Sequence, residues 1–163
     1  MRVAMKNEAV ASRKRQFCTF RIHGRLYGVN ILDVKEINRE INITPIFHAP
    51  REAKGYVNIR GKLYLLLDLR LILGFESKEV DKSSRIVLFK PAVGESFGVL
   101  VDSIDDIVSV EEKKIENRRK RDQEVTDGVE RRNVDIGKGV CRLEDELLVI
   151  LNSHHLLNVI TAR

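Results

Sequence analysis

The residues of this 163-residue chain with the most reactive side chains are two cysteines and four histidines, set among 29 basic and 24 acidic residues. No Cys-x-x-Cys occurs. Cys18 alternates with Phe20 and Ile22, and Cys141 lies between Val140 and Leu143, so both read as small buried apolar residues rather than ligands or redox thiols. His154 and His155 are adjacent, and neighbours on a helix point in different directions, a poor geometry for sharing a metal. Asp102, Asp105 and Asp106 lack the alternate spacing and closing glutamate of a calcium loop. No GxSxG, P-loop or GxGxxG segment is present. The residues call for no enzyme, no metal and no cofactor. Interaction chemistry remains. Val34, Ile37, Val57, Ile104 and Ile107 are apolar residues near bends, where not all can face inward, and Glu36 and Arg60 are charges set among them. An apolar patch with a few oriented charges is the anatomy of a protein-binding site. Arg60 reads equally well as a solvated turn residue, and the residues alone leave both readings open.

The stretch that must position Arg60 is 55–74, GYVNIRGKLYLLLDLRLILG. Val57 and Ile59 read as one face of a strand. Arg60, Gly61 and Lys62 make a tight reversal. Leu63 to Leu67 is an unbroken apolar run, which predicts a strand buried on both faces. Asp68 is a preferred helix N-cap and Gly74 a preferred residue just past a helix end. Upstream, residues 1–15 read as a flexible polar tail. Strands follow at Phe17–Ile22 and Leu26–Ile31, Val34 and Ile37 continue through a bend or helical turn, and Ile41 and Ile43 form a short strand. Downstream, Arg85–Lys90 and Phe97–Val101 read as strands.

The net charge is +5, and the sequence pI is about 9.3. Most charges are interspersed, as on a mixed solvated surface. Residues 111–135 hold the densest charge and read as an exposed insertion. The basic run Arg118–Arg121 within it motivates an alternative, a small basic β-barrel that binds nucleic acid, but no aromatic side chain is interleaved for base stacking. No apolar run reaches the roughly 18 residues of a membrane helix, and the start lacks the apolar core of a signal peptide. The expected location is cytoplasmic.

The second half repeats the first. Tyr27, Gly28, Val29, Ile31, Val34, Glu36 and Ile37 are answered at an offset of 70 by Phe97, Gly98, Val99, Val101, Ile104, Asp106 and Ile107. Gly55, Ile59, Leu63, Leu67 and Asp68 are answered at an offset of 84 by Gly139, Leu143, Leu147, Leu151 and Asn152. Glycines, a carboxylate and capping residues recur in phase, which shared apolar alternation does not explain. Arg60 is not repeated; Glu144 stands in its place. Two repeated β-barrel halves, about 16–75 and 85–158, either consecutive or interleaved, are expected.

The segments FRIHGRLYGVNILDVKEI (20–37), GYVNIRGKLYLLLDLRLILG (55–74), FGVLVDSIDDI (97–107) and GVCRLEDELLVILNSHHLL (139–157) resemble the CheW family of chemotaxis coupling proteins. The resemblance covers residues 16–158. It implies an all-β fold of two small five-stranded SH3-like barrels sharing an apolar core, with short capped helices. It implies no catalysis, but a scaffold joining the cytoplasmic tip of chemoreceptors to the regulatory domain of the histidine kinase CheA, in arrays that meet the membrane only through receptors. Carried over by position, Val34, Glu36, Ile86, Val87, Gly98, Ile104 and Ile107 match the receptor-facing groove. Arg60 matches the arginine required for coupling, with Val57, Asn58 and Gly61 shaping its turn. The charged 111–135 segment and Asn152, where aspartate is common, depart from the family pattern.

Overall fold

Turn chemistry sets the hairpins. The computed structural model describes residues 13–117 and 137–161. Strands β1 (Lys14–Ile22) and β2 (Arg25–Asn30) are joined by His23 and Gly24, with φ of 53° and 75°. Two left-handed residues are what a two-residue type I′ hairpin requires. A 3-10 turn over Ile31–Asp33, where Asn30 Oδ1 accepts from the Leu32 N–H, re-aims the chain into β3 (Val34–Asn38). After β4 (Ile43–Thr44), strands β5 (Ala53–Ile59) and β6 (Lys62–Asp68) form the next hairpin. Asp68 accepts from the N–H groups of Arg70 and Leu71 and so caps α1 (Leu69–Ile72); Gly74, with φ 91°, follows its end. Then come β7 (Arg85–Phe89), β8 (Phe97–Val101), β9 (Ser103–Glu111), a 3-10 turn over Glu112–Lys114, β10 (Ile115–Asn117), β11 (Gly137–Arg142) and β12 (Leu147–Leu151). A 3-10 turn over Ser153–His155, capped by Asn152, leads to α2 (Asn158–Thr161).

The strands form two six-stranded sheets, ordered β10-β11-β12-β2-β1-β9 and β4-β5-β6-β8-β7-β3. The fold is all-β. In each sheet the two edge strands follow one another in the chain. Edges of a flat six-stranded sheet lie about 24 Å apart, whereas the links 39–42 and 112–114 reach only about 14–17 Å. Each sheet must therefore curl until its edges approach, as in a barrel. The resemblance implies five strands per barrel; the sixth is the short edge β4 or β10.

The repeat is visible in register. Ile37 pairs with Val87 and Val34 with Phe89, as Ile107 pairs with Cys18 and Ile104 with Phe20. Leu66 lies beside Gly98 in a parallel pair, as Ile150 lies beside Gly28. Each sequence half gives two strands to one sheet and four to the other, so the halves are interleaved. A Cβ on Gly55 would lie 2.3 Å from the Thr44 carbonyl oxygen of β4, and one on Gly139 would lie 2.8 Å from that of Glu116 in β10. These glycines recur in phase because the short edge strands press against them.

Three apolar cores result. Val57, Ile59, Tyr64, Leu66, Ile86, Leu88 and Leu100 fill one sheet. Phe17, Leu26, Val110, Cys141, Leu148 and Ile150 fill the other. Between the sheets lies the shared core, with Phe20, Val29, Leu67, Val87, Phe89, Phe97, Val99 and Leu151 among its members. Strand β7 sends Ile86 and Leu88 into one core and Val87 and Phe89 into the next, which is why it is apolar on both faces.

Four readings of the sequence change. Val34 to Ile37 is a strand, not a bend or helical turn. Lys14 and Arg15 belong to β1, because they pair with Glu111 and Val110 of β9 rather than trailing in the tail. Leu63 is 58% exposed, so β6 is not buried on both faces along its whole length. The second strand ends at Asn30, and Ile31 opens the 3-10 turn instead of closing the strand. Residues 1–12 of the expected tail and the run 118–136, which includes the basic run Arg118–Arg121, lie outside the described residues.

Candidate docking surface

Arg60 stands at the tip of the β5–β6 hairpin. Ile59 pairs with Lys62 across the turn, and Arg60 and Gly61 both have positive φ, 51° and 83°. This is again the type I′ geometry; glycine adopts it freely, and arginine does so at some conformational cost. Asn58 Oδ1 accepts from the Gly61 N–H at 2.9 Å and locks the loop. Arg60 is thereby presented to solvent, its side chain 68% exposed, on a rigid mount.

Its guanidinium donates through Nη2 to Glu36 Oε2 on β3. The hydrogen bond from Arg60 is the main reason the Glu36 carboxyl titrates below the usual carboxylate range, with further help from Asn38 and from the charge of Lys35. The neighbouring Lys35 Nζ donates to the Tyr64 hydroxyl at 2.8 Å, and Lys35 and Lys62 each lie 5.4 Å from the centre of the Tyr64 ring. One ion pair, one hydrogen bond and one cation–π contact, Lys35 on Tyr64, therefore tie β3 to the β5–β6 hairpin, while the Lys62 contact lies within β6.

The pseudo-symmetric place in the other sheet has the opposite sign. Asp105 corresponds to Lys35 and Glu146 to Lys62, and both are gripped by one residue, Arg21. Its Nη atoms donate to Glu146 at 2.6 and 2.7 Å, and its Nε donates to Asp105 at 2.9 Å. Asp106 and Glu144 occupy the positions of Glu36 and Arg60. Arg21 holds the Glu146 carboxyl below its usual range; the Asp106 N–H, then Arg21, does the same for Asp105. One closure thus carries an excess of positive charge and its twin an excess of negative charge.

The expected site residues divide by burial. Arg60, Asn58, Gly61 and Ile107 are exposed, Ile107 by 59%. Glu36, Val34 and Ile104 are half-buried, and the last two pack on the shared core. Ile86, Val87 and Val57 are at most 1% exposed and face the cores, so their side chains frame the surface and cannot touch a partner across it. Gly98 is buried as well. A Cβ there would meet the Val87 carbonyl oxygen at 2.7 Å and Leu88 Cδ2 at 2.8 Å, so the glycine permits close packing of β7 on β8. Ile37, named in the apolar set, is 42% exposed, and the surface also includes two residues absent from that set, Tyr56 and Leu63, exposed by 43 and 58%. Leu63 sits opposite the exposed Asn58, a cross-strand signal visible once the hairpin register is known. Among the described residues, no group of three or more His, Cys, Asp or Glu side chains is placed to hold a metal ion. No helix among them is long and apolar enough to cross a membrane.

Comparison with known proteins adds the deciding observation: residues 16–161 match the CheW-like domain. The chain belongs to the CheW-like domain family. Its relatives include the chemotaxis protein CheW of Rhizobium meliloti, 29% identical over 63% of this chain and 65% of that protein. The probable chemotaxis protein CheW of Rhizobium etli is 28% identical over 84% of this chain and 83% of that one. The crystal structure of the scaffolding protein TtCheW from Thermoanaerobacter tengcongensis superposes with a TM-score of 0.72 at 26% identity, covering 85% of this chain and 89% of that one. This CheW-like domain carries its exposed arginine on a hairpin tip bonded to Glu36 of β3, while Val34 of β3 and Ile104 of β9 pack half-buried on the shared core.

Proposed function

We propose that the chain is a non-catalytic chemotaxis adaptor that couples the cytoplasmic tip of a chemoreceptor to the regulatory domain of the histidine kinase CheA. It would act in the cytoplasm, at receptor arrays on the inner membrane. The observation that carries the reading is the family match over residues 16–161, together with an unrepeated arginine held out on a locked turn. The receptor tip docks along Val34, Glu36, Ile104 and Ile107, while Ile86, Val87 and Gly98 hold the strands beneath. Arg60, presented by Val57, Asn58 and Gly61, serves the coupling contact. The Glu36 pair restrains Arg60 before binding, which lowers the side-chain entropy lost on docking.

The test is a pull-down with a receptor cytoplasmic fragment and the kinase regulatory domain from the same cell. Retention of both supports the reading, and binding to neither contradicts it. The nucleic-acid alternative predicts affinity that falls steeply with salt; no binding at low salt disposes of it.

A further inference from the structure

The two sheets repeat each other closely, and one pair of strands breaks the repeat in length. Strands β1 and β9 have nine residues each, whereas their counterparts β7 and β3 have five each. The excess includes a two-stranded extension, in which Lys14 pairs with Glu111, Arg15 with Val110 and Gln16 with Ser109. On its other side β1 has a partner among the described residues only from Phe17, which pairs with Asn30. There β2 ends and the chain turns away through Ile31–Asp33. Among the described residues, Lys14, Arg15 and Gln16 thus pair on one side only. Such a strand edge is a template for a further strand unless something blunts it.

A groove of about 410 Å³ lies along this bare side, lined by Arg13, Lys14, Arg15, Gln16, Asn30, Ile31, Leu32 and Glu112. Its floor is apolar at Ile31 and Leu32, and Leu32 is 70% exposed. Its charge is one-sided. Among the residues lining it, Arg13, Lys14 and Arg15 face a single acid, Glu112, which is 3.6 Å from Arg13; Lys14 also borders a neighbouring cavity lined by Glu111, Glu144, Asp145 and Glu146. Arg15 lies 5.5 Å over the Phe17 ring, which orients its guanidinium. The family match begins at residue 16, so Lys14 and Arg15 lie outside it.

We propose that this edge is a second docking site, distinct from the Arg60 surface, and that it takes an extended acidic peptide. The peptide adds as a strand alongside Lys14–Gln16. Its carboxylates meet Lys14 and Arg15, and one apolar side chain seats on Ile31 and Leu32. Main-chain hydrogen bonds would supply affinity, and the basic row with its apolar floor would supply specificity. The site does not depend on the coupling reading, because none of these residues belongs to that surface.

The experiment is fluorescence anisotropy on the full chain. The probes are a labelled ten-residue peptide alternating glutamate with valine and leucine, and its lysine counterpart. The acidic peptide is expected to bind at least tenfold more tightly and to weaken as salt rises. The double variant Lys14→Glu, Arg15→Glu is expected to lose at least tenfold, as is Leu32→Asp, with the circular-dichroism spectrum and melting curve retained. N-methylation of alternate peptide nitrogens removes the donors that strand addition needs and is expected to cost a similar factor. Equal binding of the two peptides, an unchanged Kd after charge reversal, or full affinity of the N-methylated peptide overturns the proposal. So does a chain that ignores the peptide but self-associates in sedimentation velocity and loses that association with the double variant, since the occupant would then be a second copy.

Discussion

Arg60 and Glu36 hold the account at the scale of single residues. Arg60 is mostly exposed and makes its recorded contact with Glu36, so its removal leaves the cores untouched. Arg60→Ala is expected to weaken partner binding by about 2 kcal/mol or more, as at an interface hot spot, and to leave the circular-dichroism spectrum unchanged. Loss of the folded spectrum would make the residue structural. The same variant tests the ion pair. A carboxylate held below its usual range stabilises the fold at neutral pH and loses that contribution as pH falls through its folded-state value. In Arg60→Ala the Glu36 carboxyl is expected to titrate closer to the ordinary glutamate range of about 4.3, as followed by carboxyl-carbon NMR. An unmoved titration would show that Asn38 and Lys35 suffice. Arg60 was legible in the sequence because it interrupts an apolar frame whose twin has Glu144 there. Its partner was not, since nothing local links position 60 to position 36. The exposure of Leu63 was hidden for a different reason: an unbroken apolar run does not reveal which of its members faces outward.

At the scale of elements, strand faces and close approaches decide what each position tolerates. Leu66 is fully buried and Leu63 is 58% exposed, although both stand in one apolar run. Leu66→Ala is expected to cost about 2–5 kcal/mol and Leu63→Ala about 0.5 kcal/mol or less, both by urea denaturation; equal losses would contradict the assigned faces. Gly98 is packed against the β7 backbone more tightly than Gly28 is against its neighbours, where the nearest atom to an added Cβ is Leu148 Cδ1 at 3.1 Å. Gly98→Ala is expected to destabilise by about 1–3 kcal/mol, as overpacking does, and Gly28→Ala by less. Most hairpins and caps were legible because their signals are local: His23-Gly24, Arg60-Gly61, Asp68 and Asn152. Strand β3 was not. A bulge between Val34 and Glu36 shifts the register, so Val34 and Ile37 fall three apart and mimic helical spacing. The same irregularity separates Ile104 from Ile107 in β9.

At the scale of the whole molecule, the repeat was readable as offsets of 70 and 84, which left open whether the halves exchange strands. The exchange depends on the parallel pairs β6–β8 and β12–β2, which join segments remote in the chain. That exchange places the shared core between the sheets and sets β3 and β9 on equivalent edges of it. It also lets one scaffold carry two closures of opposite charge, one around Tyr64 and one around Arg21. On the proposed function, such an adaptor offers the receptor tip and the kinase domain different parts of its surface, and coupling requires that both be filled together. The most direct measurement is a calorimetric titration of the kinase regulatory domain into the full chain already saturated with a receptor cytoplasmic fragment. The account predicts that the domain still binds and that a complex of all three sediments as one species. Mutual exclusion of the two partners, or binding of neither, would contradict it.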